Sequence, residues 1–184
     1  MRMATQIKRW TLEEVHSLPD DGNKYELVRG ELFVTPPPGA DHETILARLS
    51  RLLEPYVARH HLGFLYHPRA VLRFEGSEVE PDLMVRQASS KKNAAWEDMP
   101  LPILIVEVFS PSTRRRDQLQ KRHLYMDAGI AEYWMIDAER KSITVVRRDR
   151  HDQTVRDQVL WEPLTGVPPL AVPLSAVFGE TSQS

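Results

Sequence analysis

The segment Ile103-Leu104-Ile105-Val106-Glu107-Val108-Phe109 does most to narrow what this chain can fold into. An apolar run of strand length, rich in β-branched residues, reads as a β-strand buried on both faces, and that demands a sheet covered on both sides. One carboxylate interrupts it. Ionised Glu107 in such company is costly to bury unless a cation, a metal ion or several hydrogen-bond donors compensate it. Either it is an ordinary acid, ion-paired with an arginine or lysine or placed at an exposed strand end, or it is held there for chemistry.

The neighbouring sequence supplies the cover. Thr11 followed by Glu14 is a capping box that opens a helix kept short by Pro19. Between Lys24 and Thr35 two short β-prone stretches flank Arg29-Gly30, the pattern of a tight hairpin, which Pro36-Pro37-Pro38-Gly39 ends. After Asp41 as a cap, Ile45, Leu46, Leu49, Leu52, Leu53, Tyr56 and Val57 mark one apolar helix face, with a kink or break expected near Leu53 and Glu54 because Pro55 lacks a donor. Strands are predicted over 63–66, 70–74 and 79–86, then a polar surface loop over 87–100. Ser110-Pro111-Ser112-Thr113 gives a turn and cap for a helix over 114–128, stopped by Gly129. Strands over 132–136, 142–147 and 155–160 precede a Pro-rich close. This alternation predicts an α/β or α+β fold with a central mixed sheet, flanking helices and an N-terminal hairpin.

With 184 residues and no internal linker, the expectation is one domain over 1–184, with its core at about 10–178. Twenty-four Lys and Arg against twenty-six Asp and Glu leave a formal charge of -2, so any polyanion must be met by a local patch. The absence of Cys excludes disulfides, thiolate zinc sites and cysteine nucleophiles. No apolar run has the length of a membrane span and the N-terminus lacks a secretory pattern, so a cytoplasmic protein is expected.

Asp82 repeats the theme of Glu107: it follows Pro81 and precedes Leu83-Met84-Val85, at the mouth of another apolar strand. Pro-Asp is also a common turn former. If the two strands are neighbours, however, their carboxylates converge, and two carboxylates with a carbonyl and waters suit Mg2+. On the following helix Asp117 and Lys121 are four apart, with Tyr125 continuing the face. Such a pair can be simple surface support. A lysine packed beside the Glu107 strand could instead orient a water or offset negative charge in a transition state.

Taken together, Tyr25-Glu26-Leu27-Val28-Arg29-Gly30-Glu31-Leu32, Pro81-Asp82, the Val106 to Thr113 block, Asp117, Lys121, Tyr125 and Gly129-Ile130-Ala131-Glu132-Tyr133-Trp134-Met135-Ile136-Asp137 resemble the Uma-two (Uma2) family of restriction-endonuclease-like proteins, a branch of the PD-(D/E)XK nuclease superfamily. The resemblance runs from about Trp10 through the last strands. It implies a restriction-endonuclease-like core in which Asp82 and Glu107 bind a divalent ion beside the Val108 carbonyl. The superfamily's lysine lies two residues beyond the second acid, where this chain has Phe109; the family implies that Lys121 replaces it from the next helix. His42 also matches a family position and could face the site, although a histidine in a helix first turn needs no such role. Glu31 could support the metal or simply face solvent. Tyr133 and Trp134 are read as core or dimer contacts before base-stacking platforms.

The expected activity is therefore a Mg2+-dependent endodeoxyribonuclease, with Mn2+ able to substitute, acting as a homodimer on DNA. Its catalytic residues would be Asp82, Glu107 and Lys121, supported by His42, Glu31, Asp117 and Tyr125. Arg114, Arg115, Arg116 and Arg122 form the nearest basic cluster for gripping DNA. One alternative is a nuclease-fold protein that binds nucleic acid with weak or no catalysis, as Phe109 in the lysine position allows. Another is a hydrolase using Asp82 and Glu107 as general acid and base, as glycosidases do.

Overall fold

The structure, a computed structural model, describes residues 8–91, 93–109 and 117–179, with the backbone alone for residues 117 and 118. The capping box forms as expected: Glu14 N–H donates to Thr11 Oγ1 at 3.2 Å and Thr11 N–H to Glu14 Oε2 at 2.9 Å, opening α1 (Leu12–His16). The hairpin pairs β1 (Lys24–Val28) with β2 (Glu31–Thr35). Arg29 and Gly30 both take positive φ, 50° and 81°, which gives the turn the twist the strands need.

The long helix α2 (Ala40–Arg59) differs from expectation in two ways. Gly39 occupies the cap position and Asp41 lies inside the first turn. The helix also runs unbroken through Pro55. Pro55 and Arg51 are exposed, so the carbonyl that loses its partner faces water. The opposite face, with Leu49 and Leu53 fully buried, holds the helix against the sheet.

Ten further strands follow: β3 (Phe64–Tyr66), β4 (Leu72–Phe74), β5 (Ser77–Val79), β6 (Leu83–Arg86), β7 (Leu104–Phe109), β8 (Glu132–Asp137), β9 (Ser142–Arg147), β10 (Gln153–Val155), β11 (Gln158–Trp161) and β12 (Leu170–Pro173). They make a six-stranded sheet ordered β10-β9-β8-β7-β6-β3, a four-stranded sheet ordered β2-β1-β5-β4 and the pair β11-β12. The predicted strand over 79–86 is in fact two strands in different sheets. Pro81 cannot donate to a ladder, and the chain changes sheet at Glu80-Pro81-Asp82. The strand expected over 155–160 likewise divides, into β10 and β11. The 87–100 loop contains one short turn of helix at Trp96–Asp98.

Among the described residues only β7 and β8 pair in parallel in the large sheet, and the segment between them carries a π-helical turn, Asp117–Lys121, leading into α3 (Arg122–Asp127). Gly129, with φ 88°, ends it. The N-terminal part of the predicted helix and the Ser110 to Thr113 turn lie outside the described residues. A last helix, α4 (Leu174–Phe178), lies against α2.

The period-2 alternation of β7 sorts the two cores. Leu104, Val106 and Val108 join α2, Leu83, Val85, Trp134 and Ile136. Ile105 and Phe109 join Met84, Tyr133, Leu124, Tyr125 and the hairpin residues Val28 and Phe33. Parity places Glu107 on this second side, toward α3 and the hairpin. Tyr133 and Trp134 are both fully buried, so they serve the core. Among the described residues no helix is long and apolar enough to cross a membrane.

Candidate active site

β6 and β7 are antiparallel neighbours, with Leu83 opposite Val106. Asp82 therefore enters the sheet one position beyond that pair, beside Glu107, and the condition for their convergence is met. Asp82 Oδ2 accepts the Val108 N–H at 2.8 Å and lies 3.1 Å from His42 Nε2, which α2 brings across the sheet end. Its other oxygen, Oδ1, faces the Lys24 ammonium at 3.6 Å. Glu107 Oε1 accepts from Lys121 Nζ and from the Tyr125 hydroxyl, each at 2.8 Å. The π-helical turn and α3 carry those two donors, and both side chains are buried.

Lys121 is shared. Its ammonium also lies 2.9 Å from Glu26 Oε1 on β1, so a single buried cation bridges two buried carboxylates. Glu26 Oε1 further accepts the Glu80 N–H at 2.9 Å, while Lys24 Nζ donates to the Glu80 carbonyl at 3.1 Å. Strand β1 thus grips Glu80, in the turn that presents Asp82, by both its N–H and its carbonyl.

These contacts drive the two central carboxylates apart. Burial pushes Glu107 up, with Asp82 and Glu26 adding to the rise, and Lys121 offsets only part, leaving it at about 7. Burial would raise Asp82 as well, but the His42 hydrogen bond, the Lys24 charge and the Val108 N–H outweigh it and hold Asp82 at about 2. For Glu26, burial is outweighed by Lys121 and Lys24, and its value is lowered. Burial lowers His42, yet the Asp82 hydrogen bond wins and raises it.

The cluster lies along a cleft of about 710 Å³ lined by Lys24, Glu26, His42, Asp82, Glu107 and Lys121, with Pro36–Pro38 and Arg69 among its other lining residues. Each central carboxylate has one oxygen without a hydrogen-bond donor among the described residues: Asp82 Oδ1 and Glu107 Oε2. Among the described residues no three His, Asp or Glu side chains form a ligand set for a metal on their own. Two spare carboxylate oxygens fit an ion such as Mg2+, which keeps several waters and is held through one or two carboxylates. They do not fit zinc, whose structural sites need four protein ligands and catalytic sites three.

Of the residues singled out from sequence, Asp82, Glu107, Lys121, His42 and Tyr125 come together. Glu31 does not line this cleft; it is half-buried and accepts from Gln120 Nε2 at 2.9 Å, tying the hairpin to the π-helical turn. The Asp117 side chain and Arg114, Arg115 and Arg116 lie outside the described residues. Arg122 makes a two-pronged pair with Asp152 at 2.8 and 3.0 Å, which commits its guanidinium to the protein. Sequence reasoning passed over Lys24 and Glu26 as site residues. Their signal was strand parity: Glu26 shares a face with Val28 and stands opposite Phe33, both core residues.

Comparison with known proteins agrees with this architecture. Residues 12–176 match the Uma2 family model, described as "Putative restriction endonuclease". Among solved structures, the chain is similar to a crystal structure titled as a putative nuclease belonging to DUF820 from Anabaena variabilis ATCC 29413, with a TM-score of 0.77 and 17% identity over 92% of this chain and 97% of that one. At that identity the likeness speaks for the fold. No curated protein matches. Since the family model runs from the first helix through both central acids and into the final helix, the chain belongs to the Uma2 family and has its restriction-endonuclease-like fold.

Proposed function

We propose that this chain is a Mg2+-dependent endonuclease that hydrolyses DNA phosphodiester bonds, with Asp82 and Glu107 holding the ion, Mn2+ able to substitute, and Lys121 assisting. The observation that carries the proposal is the pair of carboxylates on adjacent strands, each pinned through one oxygen and each leaving the other for a ligand. Membership of a family described as "Putative restriction endonuclease" supports nucleic acid as the substrate.

A bound Mg2+ supplies Lewis acidity toward a phosphoryl oxygen and a water of lowered pKa. The protein's own residues prepare the place. His42 and the Val108 N–H fix Asp82 Oδ2 and keep that carboxylate ionised, so that it is ready as a ligand. Tyr125 and Lys121 orient Glu107 through Oε1. Lys121 keeps one positive charge among the acids at the cleft and assists by fixing Glu107, the carboxylate that would hold the ion. Position 109 in this chain is Phe, and the ammonium that the superfamily pattern would put there reaches Glu107 from the π-helical turn. A duplex carries two scissile strands and each chain one such cluster, so we also propose a homodimer.

The test is calorimetric titration of Mg2+ and Mn2+ into the wild-type protein, Asp82→Ala and Glu107→Ala, with plasmid and single-stranded DNA cleavage on the same samples. Saturable binding and metal-dependent nicking, both lost in the variants, are expected. Full metal-dependent cleavage by either variant would remove the site. Cleavage of a substrate that survives a chelator would favour a general acid and base pair instead.

A further inference from the structure

Two lysines line the cleft, and they are held in different ways. The Lys121 side chain is 3% exposed, its ammonium wedged between Glu107 and Glu26 at 2.8 and 2.9 Å. It cannot approach a ligand in the cleft without abandoning two buried carboxylates, which would be left uncompensated. Lys24 is 22% exposed and, among the described residues, makes one hydrogen bond, to the Glu80 carbonyl at 3.1 Å. Its two acidic neighbours, Asp82 Oδ1 at 3.6 Å and Glu26 Oε2 at 3.9 Å, attract it through space without accepting a hydrogen bond. An ammonium has three donors, so Lys24 has donors left to give.

Its position matters as much as its freedom. Lys24 stands on the Oδ1 side of Asp82, the side left open by His42 and Val108, which both take Oδ2. That is the oxygen assigned above to the metal, so Lys24 flanks the place where a phosphate would meet the ion. Its Glu80 tether belongs to the same turn that carries Asp82, which fixes the ammonium relative to that carboxylate.

We infer that Lys24 is the lysine that contacts a non-bridging oxygen of the substrate phosphate, and that Lys121 is the fixed counterion of Glu107 and Glu26, acting on the substrate through Glu107. This rests on the nuclease reading. It divides between two residues what the superfamily pattern gives to one lysine.

The experiment measures equilibrium binding of a fluorescent duplex and a single-stranded oligonucleotide across a salt series, with Ca2+ in place of Mg2+, for wild type, Lys24→Gln, Lys24→Arg and Lys121→Gln. Loss of one phosphate contact lowers the slope of log K against log salt by about 0.9 for duplex and about 0.7 for single strands. Lys24→Gln is expected to show that fall, Lys24→Arg to restore the slope, and Lys121→Gln to keep it while lowering Tm. A wild-type slope in Lys24→Gln, or a slope lost in Lys121→Gln with Tm unchanged, overturns the assignment while leaving the nuclease reading intact. A wild-type protein that neither binds oligonucleotides nor cleaves DNA with Mg2+ overturns both.

Discussion

Replacing Lys121 by Met removes the charge at the centre of the cluster and keeps an unbranched stem of similar length. The lost ammonium lies 2.8 Å from Glu107 and 2.9 Å from Glu26, and all three side chains are at most 3% exposed. What the variant loses is bounded by the cost of protonating a stranded acid. At pH 7.5, neutralising a glutamate with an ordinary value of 4.5 spans about 3 pH units, or ~4 kcal/mol. Glu107 contributes little to this, because burial already pushes it up to about 7. Glu26 carries the rest: burial acts to raise it, yet Lys121 and Lys24 hold it below its ordinary value in the wild type. The expected loss is therefore about 4 kcal/mol at pH 7.5, within the ~3–5 kcal/mol of other broken buried pairs. The pH dependence follows from the sign of the shift. A depressed carboxyl stabilises the fold above its unfolded value and loses that contribution as pH falls through the folded one, so the gap between the proteins narrows to about 1 kcal/mol near pH 4.5. Urea denaturation of both proteins at pH 4.5 and 7.5 in chelator measures it. A loss under about 1 kcal/mol at pH 7.5 would refute the bridging role, and an equal loss at both pH values would trace the effect to packing.

Three further outcomes follow from the same geometry. His42 has its value raised because the Asp82 hydrogen bond outweighs burial, so its contribution is complete below about 6.5 and fades as pH rises through the folded value; His42→Ala should lose about 1–2 kcal/mol at pH 5.5 and clearly less at pH 9 by urea denaturation, and a pH-independent loss would contradict the pair. Tyr125→Phe deletes the 2.8 Å donor to Glu107 from a fully buried ring, and a loss of about 1 kcal/mol is expected in the same assay; an unchanged midpoint would mean the bond adds nothing net. Gly63 has φ 111°, and a Cβ there would sit 2.3 Å from the Arg86 carbonyl oxygen. Gly63→Ala should therefore cost at least ~2 kcal/mol by thermal denaturation, and a native Tm would show that this approach of β3 to β6 is not as tight as described.

The elements that could be read without the fold are those written in neighbouring residues. Thr11 and Glu14 announced their capping box, Arg29-Gly30 its turn, the 104–109 run its doubly covered strand, and the apolar spacing of 45–57 its helix. Glu107 and Asp82 stood out for the same local reason, as charges in apolar company that need a partner. The division at Pro81 between two sheets was half visible, since a proline can end a ladder but cannot say which sheet the chain joins next.

The path of the chain decided the rest. Whether Glu107 met a cation, a metal or water depended on which side of β7 it faced and on a parallel crossover that returns Lys121 and Tyr125 to that side. Glu26 and Lys24 look like ordinary polar residues of a solvated hairpin until the hairpin's sheet packs against the six-stranded one, burying Glu26 and leaving Lys24 partly exposed at the cleft. Glu31, three residues beyond the end of β1 and on the same face as Phe33, meets Gln120 outside the cleft. Hydrophobic periodicity is a property of adjacent residues and survives in the sequence. The compensation of buried charge depends on distances between residues far apart in the chain, and those exist only after the layers have packed.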